Sequence, residues 1–102
     1  MDFDYSTEQK EIKETTMKFA RDVMIPKASQ YDHDAFFPRD VIDKAWELGF
    51  VNTCIPAEYG GVGFCTVDSM IITESLAYGC MGMNTAIMAN DLALLPIVIG
   101  GS

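Results

Sequence analysis

Thr66-Val67-Asp68-Ser69-Met70-Ile71-Ile72-Thr73-Glu74-Ser75-Leu76-Ala77-Tyr78-Gly79 is the stretch whose reading decides the fold. Thr66 can cap a helix over Val67–Tyr78, with Asp68 favourably placed near the positive end of the helix dipole. Val67, Met70, Ile71, Ile72, Leu76 and Ala77 cover most of the circumference. A helix apolar nearly all round is a buried helix, so this one is expected at the centre of the molecule, ending at Gly79. On its C-terminal side a further helix is predicted from about Met81 to Leu94. Pro96 then starts a short apolar turn or helix that ends at Gly100-Gly101. Ile97-Val98-Ile99 is a weak strand candidate, because Pro96 precedes it and glycines follow it.

The segment before the central helix, Phe50–Phe64, is irregular: Pro56 and the run Gly60-Gly61-Val62-Gly63 are turn signals. Before that lie more helices. Ser6-Thr7-Glu8-Gln9 forms a capping box, in which the Ser6 hydroxyl accepts from the third helical N–H and Gln9 reaches back. Beyond it Ile12, Thr16, Phe19, Ala20 and Val23 fall on one helical face and the charges on the other. Pro26 lacks a donor and restricts Ile25, so it is expected to end or kink this helix. Lys27–Asp34 suits a short second helix. Phe37-Pro38 opens another, with Pro38 at the first helical position. Val41, Ile42, Ala45, Trp46 and Leu48 form its apolar side, and Gly49 is its stop. The expectation is an all-α fold, a five- to six-helix up-down bundle, with residues 1–102 as one domain.

Its 102 residues fit a single domain. A domain of this size buries roughly 65% of the surface its unfolded chain exposes, so it can own a core without staples. Hydrophobic residues make up 49% and charged residues 22%, which excludes a disordered chain. The charge is unevenly spread. After Lys44 there is no Lys or Arg, and after Glu47 only Glu58, Asp68, Glu74 and Asp91 carry charge. A formal charge of -8 without a basic cluster argues against a nucleic-acid partner, since phosphate neutralisation needs Lys and Arg. The apolar second half is too greasy for a free-standing surface and is expected to pack against another domain or subunit.

Cys54, Cys65 and Cys80 show no C-x-x-C spacing, and their odd number favours a reducing compartment. They are expected as buried or half-buried thiols. Met1–Tyr5 is acidic and aromatic, unlike a signal or transit peptide, although a transit peptide could have preceded it. The longest uncharged run, Ser75–Asn90, is short for a membrane span and contains Ser, Gly, Thr and Asn, so no span is expected.

Most catalytic chemistry is missing. His33, the single histidine, stands between Asp32 and Asp34 and reads as a solvated loop residue. There is no H-E-x-x-H, no G-x-S-x-G and no Cys–His pair in a plausible context, and the ligand count is too low for a metal. The Gly60–Gly63 run fails as a phosphate loop: G-x-G-x-x-G would need glycine where Thr66 stands, no strand precedes it, and no Walker lysine follows. A tight turn explains it. One stripe is more informative. Thr85, Met88, Ala89 and Leu92 are spaced i, i+3, i+4, i+7 and share one helix face. Thr85 and Ala89 are small and permit close approach, while Met88 and Leu92 adapt to varied apolar shapes. A fatty chain needs such a dry wall, each buried CH2 contributing roughly 0.8 kcal/mol. Plain core packing would use the same residues, and spacing alone leaves both readings open.

Several segments, taken in order, carry a resemblance. Phe19-Ala20-Arg21-Asp22 leads into Ile25-Pro26. Ala45-Trp46-Glu47-Leu48-Gly49-Phe50 precedes Ile55-Pro56-Ala57-Glu58-Tyr59-Gly60-Gly61-Val62-Gly63. Thr73-Glu74-Ser75-Leu76-Ala77-Tyr78-Gly79-Cys80 precedes Asn84-Thr85-Ala86-Ile87. This order and spacing resembles the N-terminal helical domain of acyl-CoA dehydrogenases, most of all the medium-chain type, over essentially the whole chain. The glycine-rich loop and the Glu74–Cys80 stretch are its most specific parts.

The resemblance implies an enzyme that holds FAD and removes the α and β hydrogens of a fatty acyl-CoA thioester. A catalytic glutamate takes the α-proton, and the flavin N5 accepts hydride from the β-carbon. Electrons then pass to electron-transferring flavoprotein, and homotetramers are typical. It implies a mitochondrial matrix enzyme of fatty acid β-oxidation, or a cytoplasmic one in bacteria. It places Thr85, Met88, Ala89 and Leu92 on the helix that lines the acyl chain, as substrate-binding residues. Medium-chain relatives can carry glutamate where Met88 stands, so the pocket floor here is more apolar. Neither Glu58 nor Glu74 matches the catalytic base, so no catalytic residue is expected in this chain. The β-domain that supplies much of the flavin site and the C-terminal helical domain that carries the base are expected to be absent from it. FAD is therefore expected in the complete enzyme and not on this chain alone. An acyl-CoA oxidase-type domain is a close variant of this reading. A non-catalytic helical interaction module is an alternative of another class.

Overall fold

The first helix begins where a local hydrogen-bond exchange fixes it. Ser6 Oγ accepts from the Gln9 N–H at 3.2 Å, and Gln9 Oε1 accepts from the Ser6 N–H at 2.9 Å. This is the expected capping box, and α1 runs from it over Thr7–Phe19. The computed structural model describes residues 4–101. α1 passes without a break through a π-helical turn, Ala20–Met24, into α2, Ile25–Asp34. Pro26 thus does not end the helix. The turn widens just before it, with the Ile25 N–H donating to the Ala20 carbonyl five residues back. A π turn shifts the hydrogen bond from four to five residues back and so loosens the helical ladder just before the proline. α2 ends at Ala35, whose φ of 52° is left-handed.

α3 spans Arg39–Glu47, with Pro38 one place earlier than expected, at the N-cap. Its end is a Schellman motif. The Phe50 N–H reaches the Ala45 carbonyl at 2.9 Å and the Gly49 N–H reaches Trp46 at 3.1 Å, with Gly49 at φ 81°. The loop from Val51 to Cys65 holds a single 3-10 turn, Ala57–Tyr59, and is laced by its own backbone: Gly63 N–H to Ile55 O at 2.9 Å and Phe64 N–H to Thr53 O at 2.8 Å. Gly61 must be glycine, because a Cβ there would stand 2.2 Å from the Ile55 carbonyl oxygen.

α4 covers Thr66–Gly79. Cys65, not Thr66, occupies its N-cap, and no side chain caps it. α5 is one helix over Met81–Gly100, with Pro96 inside it. The expected break at Pro96 does not occur, and Ile97–Ile99 is helical. No strand is present among the described residues. The fold is all-α as expected: α1 and the π turn pack on α4, α4 on α5, and α3 on α5. Phe19, Met24, Val41, Phe50, Ile72, Leu76 and Ile87 form the centre of the core. Phe19 and Phe50 form a T-shaped pair with ring centroids 5.4 Å apart.

The burial pattern differs from the sequence reading at several places. α4 buries Ile71, Ile72, Ser75 and Leu76, but Val67 and Met70 lie open. On α3, Val41 and Ala45 are buried, whereas Trp46 is 58% exposed and Leu48 is also exposed. His33 is exposed as expected, but in the last turn of α2 rather than in a loop. Cys54 and Cys80 are half-buried free thiols, while Cys65 is exposed.

Candidate functional site

α5 sets the candidate site. Its buried residues are Met83, Asn84 and Ile87. The Thr85–Met88–Ala89–Leu92 stripe lies on a different side: Thr85, Ala89 and Leu92 are exposed, Leu92 at 80%, and Met88 is half-buried. In this chain Thr85, Ala89 and Leu92 form an open ridge, while Met88 packs against the edge of the core. Its one hydroxyl is turned into the helix, since Thr85 Oγ1 donates to the Met81 carbonyl at 3.0 Å. The face it shows outward is therefore methyl and hydrocarbon. Met88 leans onto α4, where Thr73 Oγ1 stands 3.6 Å from its sulfur. That hydroxyl also donates back to Ser69 O at 2.9 Å.

Open apolar surface continues away from the stripe. Leu95, Ile97, Val98 and Ile99 are exposed on the last turns of α5, and Met70 and Tyr78 on α4. α5 is long and apolar enough to cross a membrane by length and composition, although the uncharged run in the sequence suggested otherwise. Its apolar composition is interrupted by Asp91 near its middle, and that carboxylate is tied into the protein. Asp91 accepts from the Thr53 N–H at 3.3 Å, from Thr53 Oγ1 at 3.0 Å and from the Cys54 thiol at 3.3 Å. Ser69 Oγ of α4 donates in turn to Thr53 Oγ1 at 3.0 Å. Burial, then the bond to Asp91, pushes the Cys54 thiol above its ordinary range, which makes it a poor nucleophile. The sequence reading missed this cluster. The available signal was a lone charge in an otherwise apolar helix.

Two hollows lie beside these elements. One of about 570 Å³ runs between α3 and α5, between Trp46 and Ile42 on one side and Ile87 and Ala89 on the other. The other, of about 410 Å³, lies between α1 and α4, floored by Ile12, Phe50, Phe64 and Ile72 and edged by Glu8 and Glu11. Elsewhere Lys27 and Tyr31 of α2 both bond the carboxylate of Asp40 on α3. Those bonds hold Asp40 below the usual carboxylate range and raise both Lys27 and Tyr31. This cluster is exposed and joins two helices, away from the stripe. No group of three or more His, Cys, Asp or Glu residues able to hold a metal is present among the described residues.

Comparison with known proteins places this geometry. The family described as "Acyl-CoA dehydrogenase, N-terminal domain" matches residues 6–102. The chain is 39% identical over 102 residues to a probable medium-chain specific acyl-CoA dehydrogenase 2, mitochondrial, of Caenorhabditis briggsae, covering 100% of this chain and 25% of that protein. It is 39% identical over 75 residues to the mitochondrial isobutyryl-CoA dehydrogenase of Bos taurus, covering 74% of this chain and 18% of that protein. Among solved structures it superposes with a TM-score of 0.90 and 31% identity on a chain from work described as "Electron transferring flavoprotein of Acidaminococcus fermentans: Towards a mechanism of flavin-based electron bifurcation". That match covers 100% of this chain and 27% of the other. The chain thus spans about a quarter of the length of the first of these relatives. The match across nearly every residue, on an all-helical fold, decides the assignment: the chain belongs to the acyl-CoA dehydrogenase family, as its N-terminal domain.

Proposed function

We propose that this chain serves as the acyl-pocket wall of a flavin-dependent acyl-CoA dehydrogenase, which carries out α,β-dehydrogenation of fatty acyl-CoA thioesters in β-oxidation. The observation that carries the reading is the outward hydrocarbon face of α5, Thr85, Met88, Ala89 and Leu92, within a domain of this family. An acyl tail laid on that face leaves water, and each methylene so buried contributes roughly 0.8 kcal/mol. Back-bonding of the Thr85 hydroxyl keeps the face free of unsatisfied polar groups. Met88 supplies an unbranched, polarisable side chain that can adjust to the end of a tail.

The residues of this chain do not fit FAD. No Lys or Arg follows Lys44 in the sequence, and Arg39, which lines the hollow beside Ala89, is paired with Asp43 at 3.3 Å, so a dinucleotide pyrophosphate finds no free cationic partner there. FAD is assigned to the complete enzyme, and no catalytic step is assigned to this chain. The base and the redox chemistry belong to other parts of that enzyme. Electron-transferring flavoprotein is the proposed acceptor, and a homotetramer the proposed assembly. The names of the animal relatives support a mitochondrial location; in a bacterium the enzyme would be cytoplasmic.

The test is the substitution Met88→Glu in the complete enzyme, assayed against acyl-CoAs of increasing length. A carboxylate at the pocket floor must be desolvated by a long tail, so kcat/KM for long chains should fall by about tenfold or more relative to short ones. Equal effects at all lengths would remove the stripe from the pocket. A second reading, a non-catalytic helical interaction module, draws on the exposed apolar turns at Leu95–Ile99. A complete protein that neither binds flavin nor oxidises acyl-CoA would favour it.

A further inference from the structure

Apolar side chains surround the axis of α5, so burying one face instead of another changes hydrophobic free energy little. Yet the helix adopts one definite rotation. Met83 and Ile87 are buried, and Leu92 on the same helix is 80% exposed. Apolar area does not account for that choice.

Polar contacts do. Asp91 is the only charged residue in Met81–Gly100. It collects three donors from two adjacent residues: the Thr53 N–H, the Thr53 hydroxyl and the Cys54 thiol. Thr53 is 1% exposed, so its groups have no water to turn to. Ser69 extends the chain of hydroxyls to α4, and one turn earlier on α5 Met88 meets Thr73, also of α4. Turning α5 by one residue, about 100°, would carry the carboxylate away from all three donors at once. It would leave buried donors unpaired, which costs more than a hydrogen bond ordinarily contributes. Buried polar groups of this kind are best attested as devices that fix register.

We infer that Asp91 sets the rotation of α5 against α4 and the Thr53–Cys54 segment, and so selects Thr85, Ala89 and Leu92 as the open face. Asp91 is a positioning residue: its carboxylate is bonded to Thr53 and Cys54, off the stripe. The rotation stands independently of what covers the face, whereas its consequence for acyl-chain recognition rests on the function proposed above.

The full chain carrying Asp91→Leu, Asp91→Asn or Thr53→Val tests this by peroxide oxidation of its methionines, read by mass spectrometry well below the unfolding temperature. Met81 is 64% exposed and Met83 is 4% exposed, so the wild-type chain should oxidise Met81 far faster. Asparagine keeps an acceptor oxygen and should preserve that contrast. Leucine removes every bond and should reduce the Met81 to Met83 ratio by about tenfold while helix content by circular dichroism is retained. Alkylation of Cys54 should quicken in parallel. Asp91→Leu with native helix content and an unchanged ratio overturns the inference, because losing a carboxylate that merely adds stability lowers the unfolding midpoint without exposing Met83 in the folded chain. Thr53→Val, which deletes only the hydroxyl link, should move the ratio the same way by less. If the leucine variant does not fold, an unchanged ratio in the valine variant overturns the inference. An acyl-CoA assay that fails in the complete enzyme leaves this ratio untouched, so the two failures are told apart.

Discussion

Gly79 shows how a single missing carbon holds two helices together. A Cβ built on it would lie 2.9 Å from the Ala20 Cβ and 3.2 Å from both the Ala20 Cα and the Met24 Cβ. Ala20 and Met24 are fully buried, so neither can retreat into solvent. Gly79→Ala should therefore lower stability by about 1–3 kcal/mol, even though alanine is the better helix former. Urea unfolding would show a lower midpoint with an unchanged slope. A midpoint at or above wild type would mean that α4 and the π turn can part without cost. The sequence reading took Gly79 only as a helix stop. Its closer role was not legible because Ala20 and Met24 come to it through the fold and not along the chain. Residues whose partners are local fared better: the Ser6–Gln9 exchange and the Gly49 turn were both readable from neighbours within a few positions.

At the scale of the elements, the same distinction separates starts and stops that depend on short-range hydrogen bonds from those that depend on packing. α1 begins where its capping box says it should. Gln9 does more than the motif implies, since its Nε2 donates to Asp68 Oδ1 of α4 at 3.1 Å and joins the beginnings of two helices. Ser6→Ala should cost about 1 kcal/mol of stability. Amide exchange at Gln9 should quicken, with the middle of α1 unaffected. Loss of protection throughout α1 would instead show that the cap nucleates the whole helix. The prolines were misread for a physical reason. Pro26 removes one donor, but the π turn redistributes the bonds around it, and Ile25 and Pro26 both face solvent. Pro96 lies in an exposed stretch of α5, where water can serve the carbonyl the ring leaves unbonded. A proline is a firm helix breaker only where its orphaned carbonyl is also buried.

At the scale of the whole molecule, the chain divides into a charged half and a greasy half, and only part of the greasy half is covered. Uneven charge made the open apolar surface legible from sequence. Its position was not, because helices that are apolar all round give no phase from which to choose a buried face; α4 hides Ile72 and shows Met70, and α5 hides Ile87 and shows Leu92. The consequence is measurable. The folded chain should bind an environment-sensitive apolar dye, and much of that signal should come from the last turns of α5, where Ile97 is 63% and Ile99 is 77% exposed. Ile97→Lys with Ile99→Lys should cut dye fluorescence roughly in proportion to the apolar area removed, because both sites already face water and the lysines pay no burial cost. Helix content and the unfolding midpoint should stay near wild type. Unchanged dye binding would relocate the adhesive surface to the α4 side at Val67, Met70 and Tyr78. A collapse of the fold would mean that the end of α5 is covered in solution, most simply by a second copy of the chain, and the sedimentation of the wild-type protein would then depend on its concentration.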